Sequence, residues 1–208
     1  YEIASCLVGS EMCIRDSDYM IREWAPSQTH NISLSGRSGK TVFNVGLGYL
    51  DQNGLMKLAK HDDFRRWNGS IRLSTEINKY ITARAGANYS KRNKRYAYAT
   101  NSTTADPWLY LYRWDSTYPI GYDENGNEMR SPASEIHQAN TANKENNYLS
   151  FNVGATLQIT KDWKFDIDYT YAGEDQIWKK NGTKFTAADT WTSPVKRLDG
   201  NGNQIYVN

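Results

Sequence analysis

Alternation of apolar and polar side chains dominates this chain, and it is held for about ten residues at a stretch where strands of soluble domains run to about five or six. Between residues 64 and 90, Trp67, Ile71 and Leu73 fall on one face and Asn68, Ser70, Arg72 and Ser74 on the other. After Asn78-Lys79-Tyr80 the return arm sets Ile81, Ala83, Ala85, Ala87 and Tyr89 against Thr82, Arg84, Gly86, Asn88 and Ser90. Residues 148–171 repeat the arrangement. Leu149, Phe151, Val153, Ala155, Leu157 and Ile159 lead through Thr160-Lys161-Asp162-Trp163 into Phe165, Ile167, Tyr169 and Tyr171, with Lys164, Asp166, Asp168 and Thr170 between the last four. A period of two puts successive side chains on opposite faces of a strand, so each arm has one apolar and one polar face.

Ten tilted residues cross a bilayer, and outer-membrane barrels are built from such segments, apolar outward and polar inward, with Tyr and Trp near the ends. Short turns join them at one end and long loops at the other. The chain has that asymmetry: Ser38-Gly39-Lys40, Asn78-Lys79-Tyr80 and Lys161-Asp162 are tight, whereas residues 51–62, 92–146 and 173–208 read as long, polar, irregular loops. Two earlier strands complete the set. Ile32 and Leu34 face out with Asn31, Ser33 and Ser35 inward, then Phe43, Val45, Leu47 and Tyr49 face out with Asn44, Gly46 and Gly48 inward. The expected fold is all-β, an antiparallel transmembrane barrel with long extracellular loops. A closed barrel needs about eight strands, and an open sheet would leave backbone unpaired in lipid, so the six or so strands here are expected to be a fragment.

Composition narrows the alternatives. A mean hydropathy of −0.78 suits a barrel whose strands wet one face and whose loops are polar. No run approaches the ~18 apolar residues of a membrane helix, which excludes a helical membrane protein. With 25 basic against 23 acidic residues and net charge +2, a nucleic-acid partner held by phosphate charge is not expected. The one dense basic run, residues 90–95 (SKRNKR), reads as a solvated strand end or loop mouth. Residues 1–17 stand outside the pattern and carry both cysteines, Cys6 and Cys13. They have neither an apolar signal core nor a cleavage site, and are read as a non-native leader similar to translated adapter sequence; an authentic leader closed by one disulfide is the alternative.

Several stretches taken in order carry a more specific likeness. "NISLSGRSGKTVFNVGLGYLDQNGLMK", "KHDDFRRWNGSIRLSTEINKYITARAGANYS", "DPWLYLYRW", "YPIGYDENGNEMRSPASE" and "NTANKENNYLSFNVGAT" resemble the barrel of the SusC/RagA family of TonB-dependent outer-membrane transporters of Bacteroidetes. The resemblance covers residues 18–208. It implies part of a barrel of about 22 strands occluded by a plug, capped by a SusD-like surface lipoprotein, importing oligosaccharides or peptides across the outer membrane of a Gram-negative cell with energy from the TonB complex. Neither a TonB box nor a plug lies in these residues.

Residues 106–122 crowd Trp108, Tyr110, Tyr112, Trp114, Tyr118 and Tyr122 into the longest loop. Aromatic faces stack on sugar rings, so Trp108, Tyr110, Tyr112 and Trp114, with Arg113 and Asp115 for hydrogen bonds, are candidate ligand-binding residues; packing of the loop on itself is the stronger competing reading. Inward-facing Arg72, Arg84, Asp166 and Asp168 are candidate lumen charges that line a solute path or only keep the lumen wet. The repeated D-x-N-G-N at Asp123–Asn127 and Asp199–Asn203 has alternating oxygen donors, but its glycine is at the fourth position and no Glu stands at the twelfth, so type I′ hairpins are expected and no calcium loop.

No catalytic, metal or cofactor site is expected. His30, His61 and His137 show no ligand spacing, and His61 beside Asp62 and Asp63 reads as a solvated strand entrance, since neighbours on a strand face opposite ways. The chain is expected not to be an enzyme. Its rivals to the importer reading are a soluble β-rich carbohydrate-binding module, which would bury one face of its sheet under another sheet, and a passive porin-type barrel.

Overall fold

The computed structural model describes residues 18–98, 120–189 and 198–207. Most of them form one antiparallel sheet of six strands: β1 (Ser27–Ser38), β2 (Thr41–Asn53), β3 (Asp63–Asn78), β4 (Ile81–Tyr98), β5 (Asn140–Gln158) and β6 (Lys164–Lys179). Each strand pairs with its neighbours in sequence, in the order β1-β2-β3-β4-β5-β6, so the sheet is a plain meander with β1 and β6 at its two edges. The strands are 12, 13, 16, 18, 19 and 16 residues long.

The register puts the alternating faces in phase across the sheet. One row runs Val45, Ile71, Ala87, Phe151, Tyr171, and the next runs Phe43, Leu73, Ala85, Val153, Tyr169. One face is therefore continuously apolar. It is also uncovered: Leu47 is 60% exposed, Val153 53%, Ile167 50% and Tyr169 65%. The opposite face is mainly Asn, Ser, Gly, Thr, Arg and Asp, with Val42, Leu50 and Tyr148 among them.

The three hairpin ends are tight, as expected. Ser38 pairs with Thr41 across Gly39-Lys40. At the second, the Asn78 carboxamide accepts from the backbone N–H groups of Tyr80 and Ile81 at 2.8 and 2.9 Å, an Asx turn that sets the reversal, with the register shifted between Glu76 and Asn78. At the third, Ile159 and Thr160 donate backbone N–H to the Trp163 carbonyl.

The connections at the other end differ from the expected bounds. Residues 92–98 belong to β4, 140–146 to β5 and 173–179 to β6, so the strands continue well past the apolar band and the loops are shorter than the reading of 92–146 and 173–208 implied. The molecule's buried apolar cluster lies at this end: Met20, Met56, Ala59, Ala133 and Ile136, with Ala97 from the top of β4. Residues 20–22 pair with 55–57. A short helix, α1 (Pro132–Gln138), begins at Ser131, whose hydroxyl accepts from the Ser134 N–H while the Ser134 hydroxyl serves Ser131, with Pro132 starting the first turn. Its C-terminal Gln138 is tied to Thr186 by two 2.9 Å bonds. Two-residue strands β7 (Ala187–Ala188) and β8 (Tyr206–Val207) form a separate pair.

Candidate functional site

The polar face of the sheet gathers the side chains that sequence reading singled out as lumen charges. Arg84 lies opposite Gly154 on β5, and Gly154 lies opposite Asp168 on β6. The guanidinium crosses the middle strand, and its Nη2 donates to both Asp168 oxygens at 3.1 and 3.0 Å. Its Nη1 donates to the Thr156 hydroxyl at 2.8 Å and approaches Asp166 at 3.5 Å, and Thr156 in turn donates to Asp166. The crossing depends on glycine. A Cβ at position 154 would stand 2.0 Å from an Asp168 oxygen and 2.9 Å from the Ile167 carbonyl.

Arg84, Asp166 and Asp168 are thus one network. Arg72 is separate from it: it shares a hollow of about 230 Å³ with Arg84, Asn44, Ser74 and Asn152, but has no ion-pair partner among the described residues. The roles of Thr156 and Gly154 were missed in sequence, because only the strand register reveals which residues flank Arg84.

Farther along the same face is an open groove of about 460 Å³, where the amides and hydroxyls of Asn31, Ser33, Asn68, Ser70, Asn88 and Ser90 alternate with Ile32, Leu47, Tyr89 and Tyr148. Asn68 and Ser90 are hydrogen-bonded at 2.9 Å, and Asn88 donates to Ser150 at 3.3 Å. Glycines 46 and 48 keep the floor low.

The apolar face ends in an aromatic row toward the long connections. The His30 and Tyr49 rings stack at 6.3 Å and Tyr49 meets Trp67 at 4.3 Å. From that row outward the same face turns ionic: Lys91, directly across from Trp67, pairs with Glu145 at 2.9 Å, and farther out Arg65 pairs with Asp51 at 3.3 Å and Arg95 with Asp63 at 2.7 Å.

The remaining candidates separate. His61, Asp62 and Asp63 go three ways: His61 bonds Thr141, Asp62 accepts from the Met56 N–H, and Asp63 holds Arg95, so they form no acid/base pair. The D-x-N-G-N segments are hairpins, but of another type than expected. In each, the glycine N–H donates to the aspartate carbonyl, the aspartate N–H donates to the final asparagine carbonyl, and only the glycine has positive φ, 79° at Gly126 and 82° at Gly202. That is a type I turn closed by a glycine bulge; a type I′ turn would require positive φ at the preceding residue as well. The Asp123 and Asp199 carboxylates are taken up by backbone N–H groups within their own turns. Those of Asn203 and Asn201 hold the Asp199 carboxyl below its ordinary range. A contact that sequence reading did not anticipate joins Glu128 to His137 at 2.6 Å, and the Glu128 charge pushes the Tyr122 hydroxyl up. Trp108, Tyr110, Tyr112, Arg113, Trp114 and Asp115 lie outside the described residues, as do Cys6 and Cys13.

Among the described residues no helix is long and apolar enough to cross a membrane, which bears on helices alone. No protein-family model matches the chain, and no curated protein matches it.

Proposed function

We propose that the six strands are part of the wall of an outer-membrane barrel, with the apolar face on lipid and the polar face on the lumen, in a SusC-like TonB-dependent importer of oligosaccharides or peptides. The observation that carries the barrel reading is the exposed apolar face, in phase over six strands and bounded by aromatic side chains. A soluble module would bury that face, and no second sheet covers it among the described residues. Leu149 to Ile159 spans about eleven residues, the length a tilted strand needs to cross the hydrocarbon. The free edges of β1 and β6 then pair with further strands of the same barrel, since unpaired backbone is not tolerated in lipid. The importer class rests on the likeness of the sequence to SusC/RagA barrels, which brings with it a SusD-like lipoprotein and the TonB complex as partners through parts of the parent protein.

The test uses the full-length parent protein in the outer membrane of its own cells. Single cysteines at Leu73 and Val153 should resist a water-soluble maleimide and accept a lipid-soluble one, while cysteines at Ser74 and Asn152 should do the reverse. Equal aqueous labelling of both sets would sink the barrel. Loss of oligosaccharide or peptide uptake on removing TonB separates an importer from a passive porin, whose flux would be unchanged.

A further inference from the structure

The basic run at residues 90–95 falls within β4, and the strand's alternation divides it between two faces. On the apolar-side face, Lys91 and Arg95 each hold a carboxylate from the neighbouring strand. On the polar face the opposite holds. The register sets Arg66 directly across from Arg92, and Lys94 directly across from Lys144. Lys180 adds a fifth cation beside them, 3.2 Å from the centre of the Trp178 ring. None of these five has an ion-pair partner among the described residues. Their neighbours are aromatic: Tyr96 lies 5.5 Å from the Lys94 ammonium, Tyr98 5.3 Å from that of Lys180, and Trp178 5.9 Å from that of Lys144.

Like charges directly opposite on adjacent strands destabilise a sheet. A fold that matches its cations on one face and opposes them on the other keeps that cost where an external anion can relieve it. The position of the patch indicates the anion's chemistry. The row Arg66–Arg92–Asn146 stands one step along this face from Asn68–Ser90–Tyr148, the end of the amide- and hydroxyl-lined groove. Glu174, at the same margin, accepts from the Asn146 amide at 3.0 Å. Cations for acidic groups, aromatic rings for sugar faces and a groove of amides and hydroxyls for hydroxyl groups occur together on one wall.

We infer that this wall binds an anionic oligosaccharide, a chain bearing uronate or sulfate groups, as the solute of the transporter. The inference rests on the importer reading above and deepens it by naming the substrate class. Arg92, Lys94, Lys144 and Lys180 take the acidic groups at the mouth, and the groove receives the chain beyond them.

The experiment is calorimetric titration of the full-length parent protein in detergent with four probes: a galacturonate hexamer, a heparin hexasaccharide, cellohexaose and a poly-glutamate peptide. At least one acidic saccharide should bind at least roughly tenfold tighter than cellohexaose, and its affinity should fall steeply as salt rises from about 50 to 300 mM. Replacing Arg92, Lys94 and Lys144 by Gln should cost that ligand roughly tenfold to a hundredfold and leave cellohexaose unchanged, while Lys91→Gln on the other face should alter neither. Acidic saccharides binding the wild-type protein no tighter than cellohexaose overturn the inference, whether or not the variants fold. Poly-glutamate binding as tightly as the saccharides overturns the sugar assignment. Failure here with the cysteine pattern intact removes only this inference, whereas failure of the cysteine pattern removes the barrel.

Discussion

Placing an arginine at Val153 measures what the apolar face touches. Val153 is 53% exposed and is the third of five outward residues between Leu149 and Leu157. Four residues on either side at about 3.3 Å each amount to about 13 Å of strand, or about 10 Å of depth at a tilt of about 40°. In the proposed barrel the side chain therefore sits near the middle of an apolar band about 25 Å tall. Arginine at such a depth costs about 2–4 kcal/mol, which is roughly 30-fold to 1,000-fold in the folding equilibrium, and the cost falls to about 0–1 kcal/mol near the interfaces. In water the same change at an exposed strand position stays within about 0.5 kcal/mol. The assay is reversible denaturant unfolding of the full-length parent protein in lipid vesicles, comparing Val153→Arg with Leu157→Arg nearer the interface and with Asn152→Arg on the other face. The expected order is Val153 worst by about 2 kcal/mol or more, with the other two mild. Val153→Arg and Asn152→Arg agreeing within about 0.5 kcal/mol would refute the assignment of this face to lipid.

Other outcomes follow from single contacts. Gly154→Ala should cost about 1–3 kcal/mol in the same assay, because the new Cβ meets Asp168 and the Ile167 carbonyl; Gly69→Ala, whose Cβ meets only Leu47 at 3.8 Å, should be within about 0.5 kcal/mol. A double-mutant cycle of Arg84→Gln with Asp168→Asn should return no more than about 1 kcal/mol of coupling, since Asp168 is 57% exposed and water screens the pair; a larger value would mean that the polar face is dry at this point. Ser131→Ala removes a fully buried cap and should cost about 1–2 kcal/mol locally, seen as faster amide exchange across 133–139 with the strands unchanged. The lowered Asp199 carboxyl stabilises its turn above the ordinary carboxylate range, and that support is lost as pH falls through its folded value; the amides of Asn201 and Asn203 should lose protection there, and Asp199→Asn should abolish the pH dependence.

The faces of the strands were legible in the sequence and their far ends were not, for one physical reason. Alternating hydropathy marks a strand only while one face touches an apolar medium. From the level of Tyr49 and Trp67 onward the apolar-side face is held by the Lys91–Glu145, Asp51–Arg65 and Asp63–Arg95 pairs, and the backbone ladder continues to Tyr98 and Asn140 with no alternating hydropathy to announce it. A polar stretch with no hydrophobic period reads as loop, although its strands are fully paired. Nearly the same limit governs the site. Arg84 and Asp168 were picked out as inward charges, but their pairing needs the register that brings both against Gly154. The turn type at Asp123 and Asp199 escaped for a local reason: the aspartate side chain captures the following N–H groups and stabilises a type I turn, leaving glycine to close the bulge.

What the sheet lacks in contacts of its own defines the medium it needs. Among the described residues its buried apolar cluster is formed by Met20, Met56, Ala59, Ala133 and Ile136 at the loop end, and none of these comes from the apolar band of the strands. Burial of a large apolar side chain is worth about 1.5–3 kcal/mol. Leaving Leu47, Ile71, Leu73, Phe151, Val153, Phe165, Ile167 and Tyr169 half in water therefore forgoes an amount comparable with the ~5–15 kcal/mol by which whole domains are stable. Either another apolar surface or lipid must supply it. The proposed barrel assigns that role to lipid, because a protein partner imposes no level at which side chains must change character, whereas a bilayer does. In this sheet Tyr49 and Trp67 form one cross-strand row with Lys91 and Asn147, the strands are apolar on the turn side of that row, and ion pairs of Asp51 with Arg65 and of Lys91 with Glu145 begin at or just past it, an arrangement that favours the proposed lipid-facing reading.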